Sequence, residues 1–196
     1  MFIQVIQGPC TRQDELRSWA KNWKSEVGGG ATGWLGGTFG FTPDDQFIGV
    51  VRFTTRETAA ANSARPEQGA WAEKMMSLMA GDVSFSDYDD VMEFLDGGSD
   101  DAGFVQVIRG KVTDRDQLKV MFADTEGLRA MRPEIIGGTF AVDANGGFTQ
   151  TVAFTDEASA RAGEGAEPPE EIREALGSVM AGASFYDLKE PWFESP

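Results

Sequence analysis

The chain writes one phrase twice. Residues 34–41 read WLGGTFGF and residues 135–140 read IIGGTF, with Leu35 and Ile136 standing 101 positions apart. The echo runs on in order. FIQVIQG at 2–8 returns as FVQVIRG at 104–110, and TRQDEL at 11–16 as TDRDQL at 113–118. Phe53-Thr54 returns as Phe154-Thr155, and SLMAG at 77–81 as SVMAG at 178–182. Matches in the same order at an offset of 101 or 102 mean a duplicated unit of roughly 95 residues. Copies of that length are domains, whereas solenoid repeats run to about 20 to 50 residues. A chain of 196 residues can bury two small cores. The expected division is a first unit at 1–86, an acidic Gly/Ser linker at 87–103 and a second unit at 104–196.

Within each unit the periodicities give one order of elements. Phe2–Gln7 is short, apolar and β-branched, which predicts a strand. Thr11, with Asp14 three residues on, predicts a helix start, and Leu16, Trp19, Ala20 and Trp23 then share a helical face. Trp34–Phe41 and Phe47–Phe53 read as strands on either side of a Pro-Asp-Asp turn. Gly36-Gly37 and Gly137-Gly138 inside strands predict bulges. Thr54 and Glu57 predict a capping box, and Pro66 the first turn of a further helix. Trp71, Met75, Leu78 and Met79 fall at helical spacing before Gly81, and Ile172, Leu176, Val179 and Met180 repeat them. Val83–Phe85 closes the unit as a strand.

The strand at 47–53 sorts its side chains by alternation. Phe47, Val51 and Phe53, matched by Phe148, Val152 and Phe154, are expected to face the helices. Ile48, Val50 and Arg52, against Thr149, Thr151 and Ala153, are expected on the opposite face, towards a space between two sheets.

Composition removes several classes of function. Seventeen basic residues against 32 acidic ones leave a net charge of −15, a field that repels nucleic acid and anionic membranes. No run reaches the ~18 to 20 apolar residues of a membrane helix, and the N-terminus lacks a signal-peptide pattern, so a cytoplasmic protein is the simplest reading. Without any histidine there is no Ser-His-Asp or Cys-His relay and no His-ligated zinc or haem. Cys10 has Val112 as its twin and reads as an apolar site, not a catalytic thiolate. GGGATG at 28–33 has the G-x-G-x-x-G spacing but lies between a helix and a strand, the wrong order for dinucleotide binding. The acidic run with Asp87, Asp89, Asp90, Asp96, Asp100 and Asp101 lacks the spacing of a calcium loop and reads as a solvated face, so no metal is expected.

The order β-α-β-β-α-β, the strand FIQVIQG, the Gly-Gly-Thr-Phe strand and the Met-Ala-Gly helix end together resemble the dimeric α+β barrel superfamily. Its antibiotic-biosynthesis-monooxygenase-like (ABM) branch looks closest, over residues 2–86 and 104–190. The resemblance implies an α+β chain of two ferredoxin-like units packed sheet to sheet as a fused dimeric barrel. The assembly is then either a monomer with an internal pseudo-dimer or a homodimer. It also implies monooxygenation without a cofactor, on an aromatic or polyketide-like small molecule whose own anion supplies electrons to O₂. The alternatives are a non-enzymatic protein that binds a small ligand on the same scaffold, and a purely structural partner.

Site residues are sought where the twins differ. NSARPEQGAW at 62–71 faces GEGAEPPEEI at 163–172, which lacks the Asn, the Arg and the Trp. Asn62 and Arg52 are the candidate catalytic stabilisers of an oxyanion. Trp34, Arg65 and Trp71 are the candidate ligand-binding residues, two flat walls and a fixed cation. The bland reading makes Trp71 core, Asn62 a helix end and Arg52 a snorkelling strand-end cation. Members of the family often set an Asn and a Trp one helical turn apart. Here Asn62 and Trp71 are nine apart, and Pro66 falls where that Trp would stand.

Overall fold

The computed structural model describes residues 1–112, 125–165 and 182–196. It divides into two compact units. Unit 1 is Met1–Asp89 together with Pro191–Pro196, and unit 2 is Asp90–Glu190.

In unit 1 the elements are β1 (Phe2–Pro9), α1 (Gln13–Lys21), α2 (Trp23–Glu26), β2 (Trp34–Phe41), β3 (Gln46–Phe53), α3 (Arg56–Ser63), α4 (Pro66–Met76) and β4 (Ser84–Tyr88). This is the expected β-α-β-β-α-β order. β1 pairs antiparallel with β3 on one side and β4 on the other, and β2 pairs antiparallel with β3. Alternation decides what the sheet offers the helices. Phe47 packs with Leu16, Ala20 and Met75, while Phe53 packs with Phe2, Trp34 and Ala59. The predicted helix-facing set of β3 is therefore correct.

Unit 2 has β5 (Asp90–Phe94), β6 (Phe104–Lys111), α5 (Thr125–Met131), β7 (Ile135–Val142), β8 (Gly147–Phe154) and α6 (Glu157–Glu164). β9 (Ser184–Glu194) begins here, its first residues pairing with β6, and its residues from Pro191 on belong to unit 1. β8 pairs with β6 and β7, and β7 pairs with β5. Phe104, Phe140, Phe148, Val152 and Phe154 form the centre of the core. The predicted repeat TDRDQL and the helix positions Ile172, Leu176, Val179 and Met180 lie outside the described residues.

Both predicted bulges are present, at Trp34/Gly36 and at Ile135/Gly137. Gly36 and Gly137 take φ of +121° and +142°, a region that costs any other residue strain. A side chain at Gly137 would also run into the Leu95 carbonyl.

Several local expectations are corrected. The segment 87–103, expected as an acidic Gly/Ser linker, contains the strand β5. Val91 and Phe94 align with Ala141 and Gly138 in a strand ladder, because β7 would otherwise expose a bare edge. Asp87 and Asp89 are not merely solvated, since both are ion-paired to Arg56. α1 begins with Arg12 at its N-cap and has no side-chain cap, because a guanidinium has no acceptor for the helix N–H groups; Arg12 pairs with Glu15 instead. The capping box of α3 is formed by Thr55 and Thr58, one residue beyond the predicted pair. α4 ends at Met76 because the Ala80 N–H donates instead to the Pro9 carbonyl, 2.7 Å away. Val83–Phe85 is replaced by a strand over Ser84–Tyr88.

Candidate functional site

Unit 1 contains a cavity of about 190 Å³ on the helix-facing side of its sheet, between the sheet and helices α1 to α4. The sequence predicted a chamber on the opposite face. Ile48 and Val50 on that opposite face are buried, as an inward-facing side requires. Trp34, Trp23, Phe39, Phe53 and Trp71 supply the walls. Phe85, 52 % exposed, and Met76, 37 % exposed, mark where the cavity meets solvent.

The rings are held by one another. Trp23 meets Trp34 edge to face at 4.8 Å, and Trp71 stacks on Trp19 at 5.9 Å. Such contacts fix an aromatic wall beyond what area burial alone does.

Two amides bring polarity into this wall. Asn62, 7 % exposed at the end of α3, accepts a hydrogen bond at Oδ1 from Arg65 Nη1, 2.8 Å away. Gln68 on α4 accepts at Oε1 from Trp23 Nε1, 2.7 Å away. Both amide oxygens are thus spent on the protein, and the hydrogen-bond network fixes which way each amide points. Both NH₂ groups remain donors, with no acceptor for either among the described residues. Ser63 spends its hydroxyl hydrogen on the Ala59 carbonyl, and Gln4 directs one N–H of its amide to Asp87.

Arg65 does not line the cavity. It is a clasp behind Asn62: Nη2 donates to the Val27 carbonyl at 2.8 Å, and Glu67 pairs with the same guanidinium. Glu67's carboxyl is held low by its backbone hydrogen bond and by Arg65. The guanidinium lies over Gly30, where any side chain would collide with it. GGGATG is accordingly the predicted helix-to-strand connection.

Arg52 does not line the cavity either. It sits in register with Ile3 and Gly36 on the other face of β3 from Val51 and Phe53. Of the five predicted site residues, Trp34, Asn62 and Trp71 come together, Arg65 stands one layer behind, and Arg52 lies on the opposite face of β3, the face expected for it. Cys10 is fully buried, its thiol raised by desolvation, as expected of an apolar site.

Sequence reading missed Gln68 and Glu194, both of which line the cavity. Gln68 carried a usable signal, since its twin is Pro169. Glu194 carried none, being over a hundred residues away from the other lining residues. Among the described residues no group of His, Cys, Asp and Glu could hold a metal ion, and no helix is long and apolar enough to cross a membrane.

No family model and no curated protein matches the chain. Solved structures do. A candidate monooxygenase from Fusobacterium nucleatum subsp. nucleatum superimposes with a TM-score of 0.74 at 10 % identity, covering 99 % of this chain and 94 % of that one. A candidate monooxygenase from Lactobacillus acidophilus NCFM gives 0.70 at 12 %, covering 96 % and 92 %. An anthrone oxidase-like protein gives 0.64 at 11 %, covering 97 % and 92 %. At such identities the likeness concerns the backbone. The chain thus has the ABM-like ferredoxin fold in tandem.

Proposed function

We infer that the protein is a monooxygenase for a small aromatic or polyketide-like molecule, working without a cofactor through the cavity of unit 1. The observation that carries this reading is the pair of amides, Asn62 and Gln68, each with its NH₂ group left as a donor, in the lining of a mostly apolar cavity with aromatic walls. A ligand whose carbonyl becomes an enolate, or whose hydroxyl becomes a phenolate, gains negative charge on one oxygen. Fixed donors in a water-poor site stabilise that charge far better than they would in water. The Arg65 cation behind Asn62 polarises its amide in the helpful direction. The anion then gives electrons to O₂. For a reacting CH₂ group the products are a carbonyl and one water, which balances without an outside reductant.

The enclosed volume exceeds the about 150 Å³ of an engineered apolar cavity that holds benzene, and the opening at Phe85 and Met76 gives a further fused ring room. One of the similar structures is named an anthrone oxidase-like protein, which supports such a substrate class. Oxygen consumption with anthrone is the test. Wild type should consume O₂ with saturation, and Asn62→Ala should lower kcat by on the order of 10². The second reading, a protein that only binds such a ligand, is favoured by Pro66 at the position where the family's Trp would stand. It predicts quenching of tryptophan fluorescence by the same compound with no oxygen consumed.

A further inference from the structure

We propose that Glu194, brought into unit 1 by the end of the chain, is the proton-accepting group of the cavity and selects ligands that carry an acidic O–H or C–H. The proposal rests on the reading of the unit 1 cavity as a ligand site. Three observations place this residue.

First, Glu194 is the sole ionisable side chain among those lining the cavity. Everything else there is apolar or a neutral amide or hydroxyl. A chain without histidine must use a carboxylate, an amine, a phenol or water to move a proton.

Second, strand alternation aims it correctly. Trp192, two residues earlier, is buried against Phe39, Phe41 and Phe47 in the helix-side core. Residues i and i+2 share a face, so the Glu194 side chain is directed to the side on which the cavity lies.

Third, its position is built in. The Gly36 bulge lets the terminal strand come close: a Cβ at Gly36 would stand 2.8 Å from the Glu194 carbonyl oxygen. Arg52 Nη2 approaches the same spot, at 3.0 Å. Lys24 Nζ donates to the carbonyl of Ser195, the next residue, at 2.5 Å. Trp192 is in turn covered by Arg17, whose guanidinium lies 4.5 Å from the ring centroid. The glycine pair that looked purely architectural thus also seats the acid, and Arg52 stands beside that seat and not in the cavity.

In the proposed step a substrate C–H or O–H bond breaks heterolytically. The electron pair stays on the substrate as an enolate or phenolate facing Asn62 and Gln68, and the proton passes to the Glu194 carboxylate. O₂ is the oxidant. When a CH₂ group has become a carbonyl, the proton held by Glu194 leaves in the water formed.

The test separates Glu194 from the cavity itself. The full chain is titrated calorimetrically with 2-naphthol and with 2-methoxynaphthalene, which keeps the rings and loses the O–H. Wild type should prefer the naphthol by on the order of 10-fold, the worth of one charge-assisted hydrogen bond. Glu194→Gln should reduce that preference to within about twofold while leaving the affinity for the methyl ether unchanged. Gly36→Ala, which displaces the terminal strand, should narrow the preference too. A Glu194→Gln chain that keeps the preference, or a wild type that binds both probes equally, overturns the role of Glu194 and leaves the cavity reading intact. Failure of wild type to bind either probe overturns both. With anthrone and O₂, Glu194→Gln should lower kcat by about 10² or more with KM within about threefold. An unchanged kcat overturns the proton transfer.

Discussion

The two units solve the same fold with different contents under α3 and α6. In unit 1 the end of α3 carries Asn62, and the loop before β2 opposite it is small, with Ala31 and Gly33. In unit 2 the equivalent positions are reversed. Gly163 stands where Asn62 does, and the loop supplies Arg132 and Glu134. Those two form an ion pair that is mostly buried, with Glu134 10 % exposed, and both side chains press on Gly163. Trp34 is replaced by Ile135. Unit 1 has a cavity with donors at its wall. In unit 2, among the described residues, Arg132 and Glu134 take the space that the Asn62 side chain has in unit 1. Duplication doubled the scaffold, and the amino acids at three loop and helix-end positions give the two copies different contents.

The outright break of this comparison would be a second ligand. Binding of 2-naphthol should saturate at one equivalent per chain. A calorimetric stoichiometry of two would show that unit 2 has not lost its site.

Next in size is a core effect. The terminal segment gives unit 1 Trp192, 5 % exposed and in contact with three phenylalanine rings. In unit 2, β5 offers Met92, aligned with Phe140, the twin of Phe39, and only partly buried. Trp192→Ala should cost about 3–5 kcal/mol and Met92→Ala about 2 kcal/mol, read from urea midpoints at constant slope. Equal costs would mean that the two segments are equivalent plugs.

Importing the residue of one unit into the other gives an intermediate effect. Gly163→Asn inserts a side chain where Arg132 and Glu134 already lie, and overpacking of this kind costs about 2 kcal/mol. Adding Glu134→Ala should recover about half of that, a coupling that a double-mutant cycle measures directly. Strict additivity would show that the ion pair does not occupy the Asn62 position.

Much of this was legible before the structure, and the remainder was hidden for physical reasons. Periodicity and repetition found the strands, the helix-facing side of β3 and the glycine bulges, since all of these follow from local spacing. Asn62, Trp34 and Trp71 were found because the twin lacks them. The helix-side cavity was not anticipated, because alternation says which residues share a side and not where space is left between layers. Arg52 was assigned to the correct face of β3, which is not the face that lines this cavity. Glu194 could not be found, because its membership of unit 1 depends on a chain path in which residues after Pro191 return to the first core. The strand within 87–103 was missed because its acids mask a short apolar alternation, and its pairing partner lies some fifty residues on.

The smallest difference concerns how α3 and α6 begin. Thr55 caps α3 with its hydroxyl, accepting from the Thr58 N–H at 3.2 Å, and Asp156 caps α6 with a carboxylate, accepting from the Ser159 N–H at 2.8 Å. Thr55 does not titrate. Asp156 does, and the backbone N–H of Ser159, followed by its hydroxyl, holds that carboxyl below its ordinary range. A group whose pKa is depressed by folding stabilises above its unfolded value, about 3.9 for Asp, and loses that stabilisation as pH falls through the folded value. Thr55→Ala should therefore cost about 1 kcal/mol at neutral and at acid pH alike. Asp156→Ala should be destabilising at neutral pH and converge on wild type as pH falls below about 4. Urea midpoints for both variants across that range decide the matter. A Thr55→Ala deficit that also fades with acid would show that the carboxylates around α3, Glu57 among them, and not the hydroxyl, carry its cap.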